Sequence, residues 1–379
     1  MARRAGAAAL LIAVGVVIWL LVFRSDSGKG GGDSVAGAES DVSTEVSELV
    51  SGMSTEQLAD QVLLLGFAGT DSSAPFVAEL GERQIGGIII AKENWVDAGT
   101  GTQLVEDLRA AGSEGGRIAP LMVAAQEGGE YRSFADLPPE QTELTIGDNG
   151  SVAAAEQWAS ETSAALADAG FDLNLFPVAD VATLDSPVAD RAFSDDSAAA
   201  AALTAAALGG CRAEDLACAP LHFPGLGAAS EDTSVGPATV SLDAASLSAR
   251  DLEPFRAAFA AGAPAVVLSL AFYGAYDTIT PGALAEPVAT GLLRGELDFE
   301  GVAITDDLGS GAVRATGTTA KAAVQALVAG ADLIQIGSAS DQAGVREAIL
   351  AAVESGELSE ERLAQAAGRV LELKQDLSL

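Results

Sequence analysis

Leu121-Met122-Val123-Ala124-Ala125, followed at once by Gln126-Glu127-Gly128-Gly129, is the stretch on which the fold turns. Five apolar residues in succession, with no alternation, suit a parallel strand buried on both faces. The polar residues begin where such a strand would end. The same unit recurs at Val62–Phe67, Gly87–Ile90, Asp172–Phe176, Leu216–Leu221, Ala265–Leu270, Val302–Thr305 and Leu333–Ile336. Helical stretches lie between, among them Val152–Ala169, Ser246–Ala261 and Thr319–Ala329. β units alternating with helices across residues 45–379 predict an α/β protein, a (β/α)8 TIM-like barrel. An open doubly wound sheet is the alternative. No G-x-G-x-x-G follows a strand, so no dinucleotide cofactor is expected. Ser54-Thr55-Glu56-Gln57 has the form of a capped helix start. Ser359–Lys374 reads as an amphipathic helix on the outside of the barrel.

Ahead of the barrel the composition changes. Arg3 and Arg4 precede an uncharged apolar run, Ala5–Phe23. At helical rise that run is just long enough for the roughly 30 Å hydrocarbon core of a bilayer. Residues 1–24 are therefore expected to be a transmembrane anchor, with a signal segment as the alternative. The two arginines place that end in the cytoplasm and the barrel outside, in a single-pass cell-membrane protein. Cleavage near Val35-Ala36-Gly37-Ala38 would instead give a secreted one. Residues 25–44, rich in Gly, Ser and Asp, read as a flexible linker.

The 379 residues carry a formal net charge of -34. Phosphate backbones need clustered Lys and Arg, so nucleic acid is excluded as a partner. Docking of the folded part on an anionic membrane is excluded for the same reason, leaving the N-terminal helix as the membrane contact. Cys211 and Cys218 are the only cysteines, and they form either a disulfide or two free thiols. With one His besides, no metal ligand set is apparent, and no cofactor is expected.

In a barrel the chemistry gathers at the carboxyl ends of the strands. The polar residues there are Gln126 and Glu127, Asp180, Asp190 and Arg191, His222, Ser269, and Asp306 with Asp307. Carboxylates with one Arg and one His around one mouth suit glycoside chemistry. Retaining hydrolysis needs a carboxylate nucleophile and a group that protonates the leaving oxygen.

Four motifs occur in the order found in family 3 glycoside hydrolases: Gln126-Glu127-Gly128-Gly129, Asp190-Arg191-Ala192-Phe193, His222-Phe223-Pro224-Gly225 and Ile304-Thr305-Asp306-Asp307-Leu308. Gly86–Ile90, Pro177–Val181 and Leu292-Leu293-Arg294 add to the likeness, which runs from about Met53 to Lys374. The chain resembles the β-N-acetylhexosaminidase branch of that family. The resemblance implies Asp306 as nucleophile, forming a glycosyl-enzyme. It implies Arg191 and His222 as sugar-binding groups, with Asp190 and Glu127 beside them. The implied partner is carbohydrate, including peptidoglycan fragments.

The chain also departs from that pattern. Ala125 stands where the family's D-x-E-G-G has Asp, Leu221 precedes His222 in place of Lys, and Leu226 replaces the second His of F-P-G-H-G. The Arg that follows the glycines is displaced to Arg132. The branch's proton donor is a loop Asp-x-His dyad, and here the loop reads Glu231-Asp232-Thr233-Ser234. A Ser hydroxyl cannot titrate near neutral pH as imidazole does. Three readings follow. One is an altered hydrolase in which Glu231 or Asp232 donates the proton directly. The second is a non-catalytic envelope protein that binds glycan or a partner. The third is a tethered scaffold without a ligand.

Overall fold

The computed structural model describes residues 43–379. The apolar run of residues 1–24 and most of the expected linker lie outside that range. Ser43 and Thr44, expected at the linker's end, already belong to the fold: Ser43 caps a helix spanning Thr44–Ser51. Among the described residues no helix is long and apolar enough to cross a membrane.

Eleven strands occur among the described residues: β1 Leu63–Leu65, β2 Gly87–Ile89, β3 Leu121–Ala124, β4 Leu173–Val178, β5 Ala217–Leu221, β6 Thr239–Val240, β7 Ala265–Leu268, β8 Phe272–Tyr273, β9 Asp277–Pro281, β10 Val302–Thr305 and β11 Ile334–Ile336. One parallel sheet takes the order β11-β1-β2-β3-β4-β5, and β7 pairs in parallel with β10. Continuous pairing thus makes a curled half-barrel sheet, short of the eight-strand ring that the alternation predicts. Between the two sets strand pairing is reduced to single bridges, Phe223 with Leu268 and Ile304 with Leu333. The last strand lies beside the first and the strands between keep chain order. An open doubly wound sheet reverses direction at a switch point and does not produce that arrangement.

Alternate residues of the strands enter separate apolar clusters. Leu64, Ile89, Val123, Leu175, Ala219, Val267 and Ile304 share one, drawn from strands of both sheets. Their neighbours, such as Met122, Val266 and Ala303, join the other, with helix residues including Leu104, Leu166 and Phe255. That division follows from the period of two along a strand.

Ser54 and Gln57 form the reciprocal cap expected at that helix start. The stretch Thr319–Ala329 is helical throughout. Ser246–Ala261 is broken into two helices, Ala244–Ala249 and Leu252–Ala260, with the buried Asp251 between them. The C-terminal helix, Glu360–Asp376, is not confined to the outside. Its Val370 and Leu373 join the same cluster as the strands' inner residues. Its Leu363, Ala366 and Ala367 pack in the outer layer. Cys211 and Cys218 form a disulfide between the end of the helix Ser197–Ala213 and β5.

Candidate active site

The site is assembled from residues just beyond the carboxyl ends of β3, β4, β5 and β10. Glu127 follows β3, is buried, and receives a bidentate pair from Arg191: Nε to Oε2 at 2.7 Å and Nη2 to Oε1 at 2.7 Å. This is the planar fork geometry that favours Arg over Lys. Of the two carboxylates expected beside Arg191, the structure pairs it with Glu127 and not with Asp190. Asp190 is exposed and makes no side-chain hydrogen bond among the described residues. Burial opposes the charge of Arg191, but Glu127, aided by Asp180 and Asp306, outweighs it and holds the guanidinium more firmly protonated than usual. The ring of Tyr131 lies 5.6 Å from the guanidinium carbon, a cation–π distance.

His222 follows β5 and is buried. Its Nδ1 lies 2.8 Å from Oδ2 of Asp180, and its Nε2 lies 3.5 Å from Nη2 of Arg191. Asp180 is wholly buried and also accepts from the backbone N of Leu226 at 2.6 Å. Burial pushes the imidazole's pKa down, but the Asp180 carboxylate reverses this, and the net effect is upward.

Asp306, at the end of β10, is half-buried. Its Oδ1 accepts from the backbone N of Asp307 at 2.8 Å, and the hydroxyl of Thr233 reaches its Oδ2 at 3.5 Å. The negative charge of Asp306 is felt by both Arg191 and His222. Asp307 has a different environment: its Oδ1 accepts from Gly309 N at 2.8 Å and Gly337 N at 3.0 Å, tying the β10 and β11 ends together. Burial raises its pKa.

The loop after β5 carries the two remaining candidates. Asp232 is half-buried, and its Oδ1 accepts from Ser234 N at 2.8 Å. Glu231 is exposed, as is Ser234. The loop residue that touches the Asp306 carboxylate is thus Thr233, which sequence reading passed over. The structure groups Glu127, Arg191, His222 and Asp306; it leaves Asp190 and Glu231 at the surface. Asp180 was visible as a strand-end carboxylate but had no role until its bond to His222. Glu143 had no signal at all. It is buried at a helix start, accepts from Val178 N at 2.9 Å, and burial raises its pKa well above the usual range, with Glu127 adding to the effect. Arg294 lies elsewhere, paired with the buried Asp332 that precedes β11.

A parallel α/β frame thus carries a half-buried carboxylate, a paired Arg and a buried His–Asp couple at its carboxyl face, groups of the kind that sugar hydrolysis uses. Residues 55–373 match the family described as Glycosyl hydrolase family 3 N terminal domain, and the chain belongs to that family. Among similar proteins is a beta-hexosaminidase of Stenotrophomonas maltophilia, 33% identical over 288 residues, with 73% of this chain and 83% of that protein covered. Another, from Xylella fastidiosa, is 34% identical over 287 residues, with the same shares covered. Of solved structures, a family 3 β-N-acetylglucosaminidase from Paenibacillus superposes with a TM-score of 0.83 at 30% identity. That match covers 86% of this chain, which spans only 63% of the other's length. A β-N-acetylhexosaminidase from Beutenbergia cavernae gives a TM-score of 0.77 at 28% identity, covering 85% and 99%.

Proposed function

We propose that the protein hydrolyses β-linked N-acetylhexosaminides, cell-wall glycans among them, by a retaining mechanism with an altered proton donor. The observation that carries this reading is the placement of Asp306: half-buried, at a strand's carboxyl end, and within electrostatic reach of Arg191 and His222. In the first step an oxygen of Asp306 attacks the anomeric carbon, the glycosidic C–O bond breaks, and the leaving oxygen takes a proton. Asp232 is the better donor of the two loop carboxyls, being half-buried and fixed by its own turn. In the second step Asp232 takes a proton from water, the water oxygen bonds the anomeric carbon, the bond to Asp306 breaks, and the sugar leaves with the carboxylate restored. Arg191, His222 and Glu127 bind the sugar, and Asp180 holds the imidazole's orientation. Closure of the eight strands into one (β/α)8 ring is part of this reading, supported by the single bridges and the shared inner cluster.

The apolar run at residues 5–23 supports an anchored location with the barrel outside the cell membrane, or secretion if the run is removed. Protease treatment of intact cells would remove the barrel in either outward arrangement and spare it in an inward one.

A second reading, a non-catalytic glycan binder, draws on the pairing of Arg191 with Glu127, which occupies two of its donor nitrogens, and on Ser234 in place of imidazole. Full-length protein in detergent, assayed on chromogenic β-glycosides led by the N-acetylglucosaminide, decides between them. Turnover that is lost in Asp306→Ala supports the hydrolase. A folded protein inert on every sugar, yet retaining glycan fragments on an affinity matrix, rejects it in favour of binding.

A further inference from the structure

The loop after β5 is held at both its base and its tip. At its base, Ala229 bridges Val240, Ser230 N donates to Thr239 O at 3.1 Å, and Thr239 N returns to the Ser230 hydroxyl at 3.0 Å. At its tip, Gly311 N donates to Ser234 O at 3.0 Å and Ala312 N donates to Thr233 O at 3.0 Å. A Cβ on Gly311 would stand 2.1 Å from Val235 O, so only glycine admits this approach. The tip is therefore latched to the helix that begins five residues beyond Asp306 in the chain, Gly311–Arg314. The latch buries Thr233, 2% exposed, while its neighbour Ser234 stays exposed.

Two donors then converge on one carboxylate. Asp307 N takes Oδ1 of Asp306 at 2.8 Å, and the Thr233 hydroxyl faces Oδ2 at 3.5 Å. We propose that Thr233 is a positioning residue for the nucleophile. Its hydroxyl steadies the attacking carboxylate, and the latched loop holds that hydroxyl in place. This rests on the hydrolase reading and adds a device to it. The hydroxyl is not a proton donor to the leaving group, because its acidity is far too low, so its effect belongs to the alignment of Asp306.

The test separates alignment from proton donation. A 5-fluoro N-acetylglucosaminyl fluoride needs no acid: the C1–F bond breaks, the Asp306 oxygen bonds C1, and fluoride leaves unprotonated. Full-length wild type, Thr233→Val and Thr233→Ser are incubated with it, and the adduct is timed by intact mass, with Asp306→Ala as control. Loss of one hydrogen bond to a carboxylate of this length predicts trapping about three- to tenfold slower in Thr233→Val. The serine variant is expected to recover the wild-type rate, and on the chromogenic substrate kcat should fall with KM little changed. Equal trapping of wild type and Thr233→Val overturns the proposal and leaves the hydrolase reading intact. A wild type that forms no adduct overturns both. Slow trapping in the serine variant as well, with a lowered melting temperature, assigns Thr233 to loop packing alone and also overturns it.

Discussion

Asp251 shows how a single side chain can work against its own fold. It is wholly buried, neither carboxyl oxygen has a hydrogen-bond partner among the described residues, and the guanidinium of Arg250 stands 3.8 Å away. Burial pushes its pKa up to about 6. A carboxyl whose folded pKa exceeds the unfolded value binds its proton more tightly when native. Its contribution to stability is then greatest below the unfolded value near 3.8 and is lost as pH rises through about 6. Asp251→Asn should stabilise the protein by about 1–3 kcal/mol at pH 7.5 and by little at pH 4. Urea titrations of both proteins at the two pH values check this. His222 has the same sign for a different reason, since Asp180 holds its proton on. Native stability from that pair should fall as pH rises above about 6.5, no more steeply than about 1.4 kcal/mol per pH unit, and His222→Gln should flatten the slope. At this scale the sequence was informative about positions and poor on partners. Arg191, His222 and Asp306 stand beside strand ends, where any reader of barrels would look. The pairing of Arg191 with Glu127 joins residues far apart in the chain, and nothing local favours Glu127 over Asp190 next door. Thr233 was hidden because its role depends on a backbone latch.

Among the elements, the strands were the most legible because unbroken apolar runs have few other uses. The hairpin of β8 and β9 was not foreseen, since Asp277-Thr278-Ile279-Thr280 is short, polar and half-exposed and bears no such run. The division of Ser246–Ala261 was invisible for a related reason: helical spacing continues across Asp251, and only burial of that residue shows the break. The helix Ser197–Ala213 and β5 are joined by the disulfide over a short loop. In the chain-entropy account a loop of this size is worth about 2–3 kcal/mol. The doubly substituted Cys211→Ala/Cys218→Ala protein should lose roughly that much, and non-reducing calorimetry beside wild type measures it. Gly311→Ala should unlatch the loop after β5, and hydrogen exchange at residues 230–236 should accelerate while the strands stay protected.

For the molecule as a whole, charge is the dominant variable. A formal net charge of -34 repels itself in the compact state, and salt screens that repulsion over about 10 Å at 0.1 M. The melting temperature should therefore rise between low and moderate NaCl, until only buried pairs remain unscreened. One such group is Asp332, wholly buried and bound by Arg294 at 2.6 Å, Arg362 at 2.7 Å and Arg369 at 3.1 Å. It joins the base of β10 and β11 to the C-terminal helix. Asp332→Ala leaves three guanidinium groups facing no carboxylate and should cost about 3–5 kcal/mol, read by urea denaturation at high salt. The placement of β11 against β1, with Val370 and Leu373 in the inner cluster, has a consequence for synthesis. A chain made from its amino end offers β1 no partner on one side until residue 336 has emerged, and leaves the inner cluster open until residue 373 follows. Stalled nascent chains ending before β11 should be cut readily by protease, and those released in full should not. Folding of residues 43–379 thus waits for β11 and the helix Glu360–Asp376 rather than advancing strand by strand.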